Sequence, residues 1–290
     1  MESVSTDVIQ GAVAAAKAAA ARAGVTIDEV HDLAGEHSVS ELFDRVWGSD
    51  EHPVMPANLL HAEAHAGNYL AAARQGHRVV GASFGFFGMS GEEVYLHSHM
   101  TGVDPDLQGG GVGLALKLHQ RWWALERRLR RVQWTFDPLV RHNGYFNLVK
   151  LGAEIVDYHE NFYGDMQDAI NAGDESDRVV VSWDLASERV ITACTEGLPD
   201  PDVGALQASG ARVALDCDAD NRPLTTSVDA PILLCRIPED VVALRRNDPE
   251  TADDWRRALR STLGTALQNG HKASAITRNG WYVLEQKSAA

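Results

Sequence analysis

Residues 97–113, His-Ser-His-Met-Thr-Gly-Val-Asp-Pro-Asp-Leu-Gln-Gly-Gly-Gly-Val-Gly, spell a strand, a stop and the start of a helix. β-Formers run from Tyr95 to Val103, and Asp104-Pro105 ends them, because proline lacks an N–H and restricts the residue before it. Gln108 to Gly113 then holds four glycines, and an amphipathic run follows from Val112 to about Leu129. Glycine lets backbone N–H groups come close to an anion, and the unpaired donors and dipole of a first helical turn attract it. The segment therefore suits a phosphate or pyrophosphate, with a flexible turn before a helix as the plain alternative.

Three glycine motifs compete for this loop. A Walker A loop needs Lys and then Ser or Thr after its last glycine, whereas Gly113 is followed by Leu114-Ala115. A dinucleotide fingerprint needs a third glycine three residues after the second, and Gly109 and Gly111 lead to Leu114 instead. The pattern Gln-x-x-Gly-x-Gly is met by Gln108, Gly111 and Gly113. That pattern resembles the pyrophosphate loop of the GNAT acyltransferase superfamily, whose ligand is an acyl-coenzyme A.

The flanks extend the resemblance. His-Met-Thr-Gly-Val (99–103), Gly-Val-Gly-Leu-Ala-Leu-Lys (111–117) and Trp-Thr-Phe-Asp-Pro-Leu (134–139) are followed by Asn-Leu-Val-Lys-Leu-Gly-Ala (147–153), Asn-Phe-Tyr-Gly-Asp-Met (161–166) and Ser-Asp-Arg (176–178). As a set they resemble the GNAT branch associated with N-succinylamino acid racemases, some of whose members are implicated in N-succinylating amino acids. The likeness covers residues 93–185 strongly and 36–92 more loosely. It implies an α/β fold, a mixed twisted sheet flanked by helices, in which two parallel strands splay around the acyl-pantetheine arm.

Composition bounds the partners. The chain has 290 residues, 44% of them hydrophobic and 23% charged, as in a globular protein able to bury a core. A net charge of −15 argues against nucleic-acid or anionic-membrane partners, which demand a basic face. The one basic cluster, Arg127, Arg128, Arg130 and Arg131, falls at a helix C-terminus, where the dipole favours cations. Cys194, Cys217 and Cys235 are odd in number and widely spaced, which fits a reducing cytoplasm better than a disulfide framework or a zinc site. The alanine-rich start is interrupted by Lys17 and Arg22 and lacks the order of a signal peptide.

The expected organisation is an N-terminal helix over 1–24, an acyl-coenzyme A-binding domain over 25–186, a linker over 187–210 and a smaller C-terminal α+β unit over 211–290. Helices are predicted at 41–47 and 56–66, and a hairpin around Gln75-Gly76. Beyond the helix at 111–130 come a strand at 132–136, a short helix near 143–151 and strands around 154–163 and 179–185. In the C-terminal unit, Asp248-Pro249 caps a helix burying Trp255, Leu259, Leu263 and Leu267, and Asn279-Gly280 marks a hairpin. This unit is a candidate lid on an acceptor pocket, a homodimer interface or an extension of the sheet.

For acyl transfer, an amine must lose a proton, a thiolate must gain one, and the carbonyl oxygen needs a hydrogen-bond donor. The resemblance puts that donor on the strand before the loop, which implicates the backbone of Met100, Thr101 and Val103. Gln108, Gly109, Gly110, Gly111, Val112 and Gly113 would hold the pyrophosphate, and Asn143 is a further coenzyme-contact candidate. The co-substrate is expected to be acetyl- or succinyl-coenzyme A, the acceptor a small-molecule amine such as an amino acid, and no metal is expected. His97 and His99 share a strand face, and His99 is the candidate base, with a structural histidine as the alternative. A metal reading of His97-x-His99 lacks a third ligand, and His61 and His65 lack the full metalloprotease pattern.

Asp137, at a strand end, is a candidate to bind the amine or act as base, with turn capping as the alternative. Tyr163 is a candidate donor to the thiolate, with core packing as the alternative. Arg141 and Arg178 are candidates for a substrate carboxylate. One departure stands out: many GNAT enzymes carry a tyrosine acid where this chain has Leu148. That vacancy supports a second class of function, a non-catalytic acyl-coenzyme A binder or sensor; a GNAT-fold enzyme with a different thioester reaction is a third.

Overall fold

Strands and helices form where the sequence periods switch between two and 3.6. The computed structural model describes residues 4–48, 52–164 and 175–286; Asp165 and Met166, which close one of the motifs quoted above, lie outside them. The chain folds as two units, Met1–Trp134 with Asp184–Ile191, and Thr135–Trp183 with Thr192–Ala290. Each is built on a mixed, twisted sheet flanked by helices, and the C-terminal region is α+β.

In the first unit, α1 (Thr6–Arg22) starts at Ser5, whose hydroxyl accepts from the Val8 N–H at 3.4 Å. Then come β1 (Thr26–Glu29), α2 (Leu33–Trp47) and α3 (Ala57–His65). α2 begins eight residues earlier than its hydrophobic period suggests, because Asp32 caps it by accepting from Gly35 N–H at 2.8 Å. Pro56 is the cap residue of α3 rather than its first helical residue. β2 (Tyr69–Gln75) and β3 (Arg78–Ser90) form the predicted hairpin, followed by β4 (Glu93–Val103), α4 (Val112–Glu126) and β5 (Arg131–Phe136). The order is β1-β2-β3-β4-β5, antiparallel except for the β4–β5 pair.

Two apolar clusters clamp this sheet. On one side Val39, Leu42 and Phe43 of α2 pack with Leu70, Ala82 and Phe84, and on the other Val112 and Leu116 of α4 pack with Ala73 and Val80. Burying each of the Val, Leu and Phe side chains stabilises the fold by about 1.5–3 kcal/mol, and each Ala methyl by about 0.8 kcal/mol. α4 thus lies directly against the strands that carry the candidate site.

The second unit carries α5 (Arg141–Tyr145), which runs into a π-turn at Phe146–Lys150, then β6 (Glu154–His159) and β7 (Arg178–Asp184). Two short helices occupy the segment expected to be a linker: α6 (Glu188–Thr195), whose residues to Ile191 belong to the first unit, and α7 (Val203–Ala208), which Asp202 caps by accepting from Ala205 N–H at 3.1 Å. β8 (Arg212–Cys217), β9 (Pro223–Thr225), β10 (Ile232–Arg236), α8 (Val241–Asn247), α9 (Pro249–Leu259), α10 (Thr265–Gln268), β11 (His271–Ile276) and β12 (Trp281–Gln286) follow. The unit's strand order is β7-β6-β11-β12-β10-β8-β9. Asp248 caps α9 as expected, and Trp255, Leu259, Leu263 and Leu267 are buried. β9 and α8 had no sequence signal strong enough to anticipate them.

Candidate acyl-coenzyme A site

β4 is the strand from which the site is built. It pairs with β3 along its whole length, but the register slips between Phe84↔Met100 and Gly85↔Ser98, leaving His99 as the extra residue of a bulge. Glycine suits position 85, since a Cβ there would lie 2.8 Å from the His97 carbonyl oxygen. The bulge changes the alternation of side chains. His97 and His99 still share a face, their rings 6.1 Å apart and packed on Phe86 at 5.0 and 5.6 Å. Ser98 and Thr101, three residues apart, both turn to α4: Ser98 Oγ accepts from Lys117 at 2.7 Å, and Thr101 shares a 2.8 Å bond with Ser83, which accepts from Gln120.

On its other edge β4 pairs with β5 at Leu96↔Val132 and His97↔Gln133. Beyond His97 it has no ladder partner on that edge among the described residues, so backbone groups from Ser98 to Val103 border an opening between two parallel strands. At the end of β4, Asp104 is buried and holds the turn, accepting from Arg78 at 2.6 Å and from the Asp106 N–H at 3.3 Å. Gly109 and Gly111 follow with φ of +81° and +86°, a left-handed backbone that L side chains rarely adopt. No side chain caps α4 at Gly111, and the first intrahelical bond runs from Ala115 N–H to Gly111 O. The N–H groups of Val112, Gly113 and Leu114 therefore have no helical acceptor. The fold is GNAT-like.

This GNAT-like chain is similar to several solved acetyltransferases. The ribosomal-protein-S18-alanine N-acetyltransferase from Escherichia coli is 15% identical, with a TM-score of 0.44, over 56% of this chain and 95% of that one. A GNAT family acetyltransferase from Elizabethkingia anophelis with acetyl-CoA bound is 16% identical, with a TM-score of 0.44, over 56% and 98%. The aminoglycoside 6'-acetyltransferase type Ii is 16% identical, with a TM-score of 0.44, over 56% and 99%. No family model matches the chain, and no curated protein matches it.

Of the sequence candidates, the first unit brings together His99, Met100, Thr101 and Val103 on β4 and Gln108 to Gly113 at its end. His99 is exposed, and packing of its ring lowers its pKa through desolvation. His97 is lowered to about 4 by burial, then by His99 and Lys117. Both shifts favour the neutral ring, which keeps a lone pair.

The remaining candidates stand in the second unit. Asp137 is 7% exposed and accepts two 3.0 Å bonds from Arg256, a further bond from Arg245, and the Leu139 N–H at 3.0 Å. Burial pushes its pKa up, but Arg256 and Arg245 outweigh that and hold it at about 2. A carboxylate so occupied and so acidic is a poor base. Tyr163 is exposed, with its hydroxyl 3.1 Å from Thr135 Oγ1 and its ring 5.4 Å from the Arg178 guanidinium. Arg178 is buried and donates to the Asp177 carbonyl at 2.9 Å. Arg141 lines a cavity of about 360 Å³ with Arg236 and Glu239, and lies 3.5 Å from Glu239. Asn143 is half-buried in α5.

One residue of the site escaped the sequence reading. Lys117 is 4% exposed, donates to Ser98 and to Gln120 Oε1 at 3.1 Å, and lies 3.9 Å over the Trp134 ring. Burial lowers its pKa to about 7. The available signal was its setting, a lone charge in the apolar run Leu114-Ala115-Leu116-Lys117-Leu118. Leu148, at the position of the missing tyrosine, is fully buried. Among the described residues no group of three or more His, Cys, Asp or Glu is placed to hold a metal ion, and no helix is long and apolar enough to cross a membrane.

Proposed function

We propose that the chain belongs to the GNAT superfamily and is an acyl-coenzyme A-dependent N-acyltransferase. Its acceptor is the amine of a small molecule, and its donor acetyl- or succinyl-coenzyme A. The observation that carries this reading is the end of the β4–β5 ladder at His97↔Gln133, beside a helix whose glycine start carries uncapped donors. An acyl-coenzyme A combines the two features these groups fit: a pyrophosphate for the N–H groups of Gly109, Gly111, Val112 and Gly113, since those of Gln108 and Gly110 donate to Pro105 and Leu107, and an extended amide-bearing arm for the free edge of β4. The coenzyme supplies an acyl group activated as a thioester. Met100, Thr101 and Val103 lend main-chain groups, and His99 takes the proton that the attacking nitrogen loses. Within the second unit, Arg141 and Arg178 retain the guanidinium chemistry to hold a carboxylate, while Asp137 serves to anchor Arg245 and Arg256.

The net charge of −15 favours a small zwitterion or cation over a polyanion as acceptor. Amino acids are the first panel to test, as the resemblance to the N-succinylamino acid racemase-associated branch suggests, and a reducing cytoplasm is the compartment proposed. Calorimetric titration with acetyl-, succinyl- and free coenzyme A tests the reading. Micromolar binding with preference for one acyl form supports it and names the donor; no binding to any of them overturns it. A second reading, coenzyme binding without transfer, is favoured by the buried Leu148 at the usual acid position. Release of free coenzyme A with any member of a broad amine panel decides between the two.

A further inference from the structure

We propose that Lys117 is the proton donor to the sulfur that leaves when an acyl thioester is cleaved between β4 and β5; this rests on the acyl-coenzyme A reading above. The argument is one of position. The last paired residues of the two strands are His97 and Gln133, so Ser98 and Trp134 are the first residues past the point where the strands part. Lys117 joins these two: its ammonium donates to Ser98 Oγ at 2.7 Å and lies 3.9 Å over the Trp134 ring. It therefore marks the root of the opening on the side of α4.

Its surroundings leave that charge without a counter-ion. Ser98 and His97 face it from β4, Trp134 from β5, Gln120 from its own helix, and Ser83 of β3 closes the network through Gln120. None of these is a carboxylate, and no carboxylate pairs with Lys117 among the described residues. Burying an ammonium among neutral acceptors costs stability, and groups perturbed in this way cluster where proton transfer is needed. Desolvation brings its pKa down to about 7, where a donor can both give up and recover a proton. Leu148 stands where the resemblance would put an acid, and Lys117 takes that task in place of Tyr163, whose hydroxyl is bonded to Thr135 in the second unit.

The step balances. The carbon–sulfur bond breaks with its electron pair going to sulfur, a Lys117 N–H bond breaks, and the proton moves to sulfur. The attacking nitrogen loses one proton as its bond to the acyl carbon forms, which offsets the proton that sulfur gains. In the resting complex with free coenzyme A the same contact runs in reverse: neutral Lys117 takes the thiol proton and holds the thiolate.

Free coenzyme A is therefore the probe, and no acceptor is needed. The thiolate ultraviolet absorbance of bound coenzyme A would be followed against pH in wild type, Lys117→Met and Lys117→Gln. We expect the bound thiol to titrate about one pH unit or more lower in wild type than in either variant, a tenfold shift in its ionisation. Acetyl-coenzyme A, which has no thiol proton, should bind all three within about threefold. The chain has five lysines (Lys17, Lys117, Lys150, Lys272 and Lys287), so isotope-labelled lysine spectra identify Lys117 as the signal the variants lack. That signal should titrate near neutrality and shift upward when coenzyme A binds. If wild type and variants bind coenzyme A and the thiol titrates at the same pH in each, the role of Lys117 is overturned while the acyl-coenzyme A reading stands. If wild type binds neither ligand, the broader reading falls first.

Discussion

Asp137 and Arg256, 119 residues apart in sequence, meet as a two-pronged ion pair with both bonds at 3.0 Å, and Arg256 is 1% exposed. Arg245 closes on the same carboxylate. Removing the carboxylate leaves two buried guanidinium groups without it, so Asp137→Ala should destabilise the protein by about 3–5 kcal/mol. Urea unfolding checks this. Should the variant be as stable as wild type but inactive, Asp137 belongs to the chemistry after all.

The same carboxylate sets an acid limit. Its folded pKa of about 2 lies below the ordinary 3.8, so the unfolded chain binds the proton more readily. The stabilisation is complete above 3.8 and is lost as pH falls through the folded value, by about 2 kcal/mol in all. Unfolding free energy measured down this range should fall in wild type and change less in Asp137→Asn.

Lys117 makes the opposite end of the pH scale informative. Its folded pKa of about 7 lies below the ordinary 10.5, so between the two the unfolded chain holds more protons and stability rises with pH. Well below pH 7 the burial cost is fully present, and at pH 7 most of it remains. Lys117→Met should therefore be more stable than wild type at neutral pH, by about 2–4 kcal/mol, with the gap narrowing toward pH 10.5. A gap that stays constant across that window would show that Lys117 does not titrate there.

His99 is neutral at pH 7 because packing lowers its pKa below 6.5. As a base it should work above that lowered value and fail as pH falls through it, which puts the acid limb of the turnover profile below pH 6.5. His99→Ala should reduce turnover by about 10²-fold or more with coenzyme affinity unchanged. Full activity of that variant across the profile would remove His99 from the chemistry.

Gly111 carries φ of +86°, while a Cβ there would meet Ala23 at an ordinary 3.8 Å. Gly111→Ala therefore strains the backbone without a clash, at a cost of about 1–2 kcal/mol. We expect about a tenfold loss of coenzyme affinity by calorimetry, with helix content unchanged by circular dichroism. Unchanged affinity would show that the ligand's phosphates do not rest on this turn.

Local chemistry made much of the first unit legible. Proline and aspartate at 104–105 end β4, glycines at 109–113 open α4, Ser5 caps α1, and Asp248 caps α9; each acts on neighbours within four residues, so a linear reading finds it. The helices at 188–195 and 203–208 were hidden by their Gly, Pro and Asp neighbours, because those residues cap short helices as readily as they form loops. What the chain order could not show is what depends on distant partners. The parting of β4 from β5 is set by which residues of two strands fail to pair, and the bulge at His99 by the register of β3 against β4. Lys117 reads as one charged residue in a helix until the sheet covers it, and Asp137 reads as a free carboxylate at a strand end until α8 and α9 bring Arg245 and Arg256 to it. Spacing along the chain placed the strand, the turn and the glycine-rich helix start. Tertiary structure decided which charges are paired and which are buried alone, because desolvation and ion pairing act through space and leave no trace in spacing along the chain.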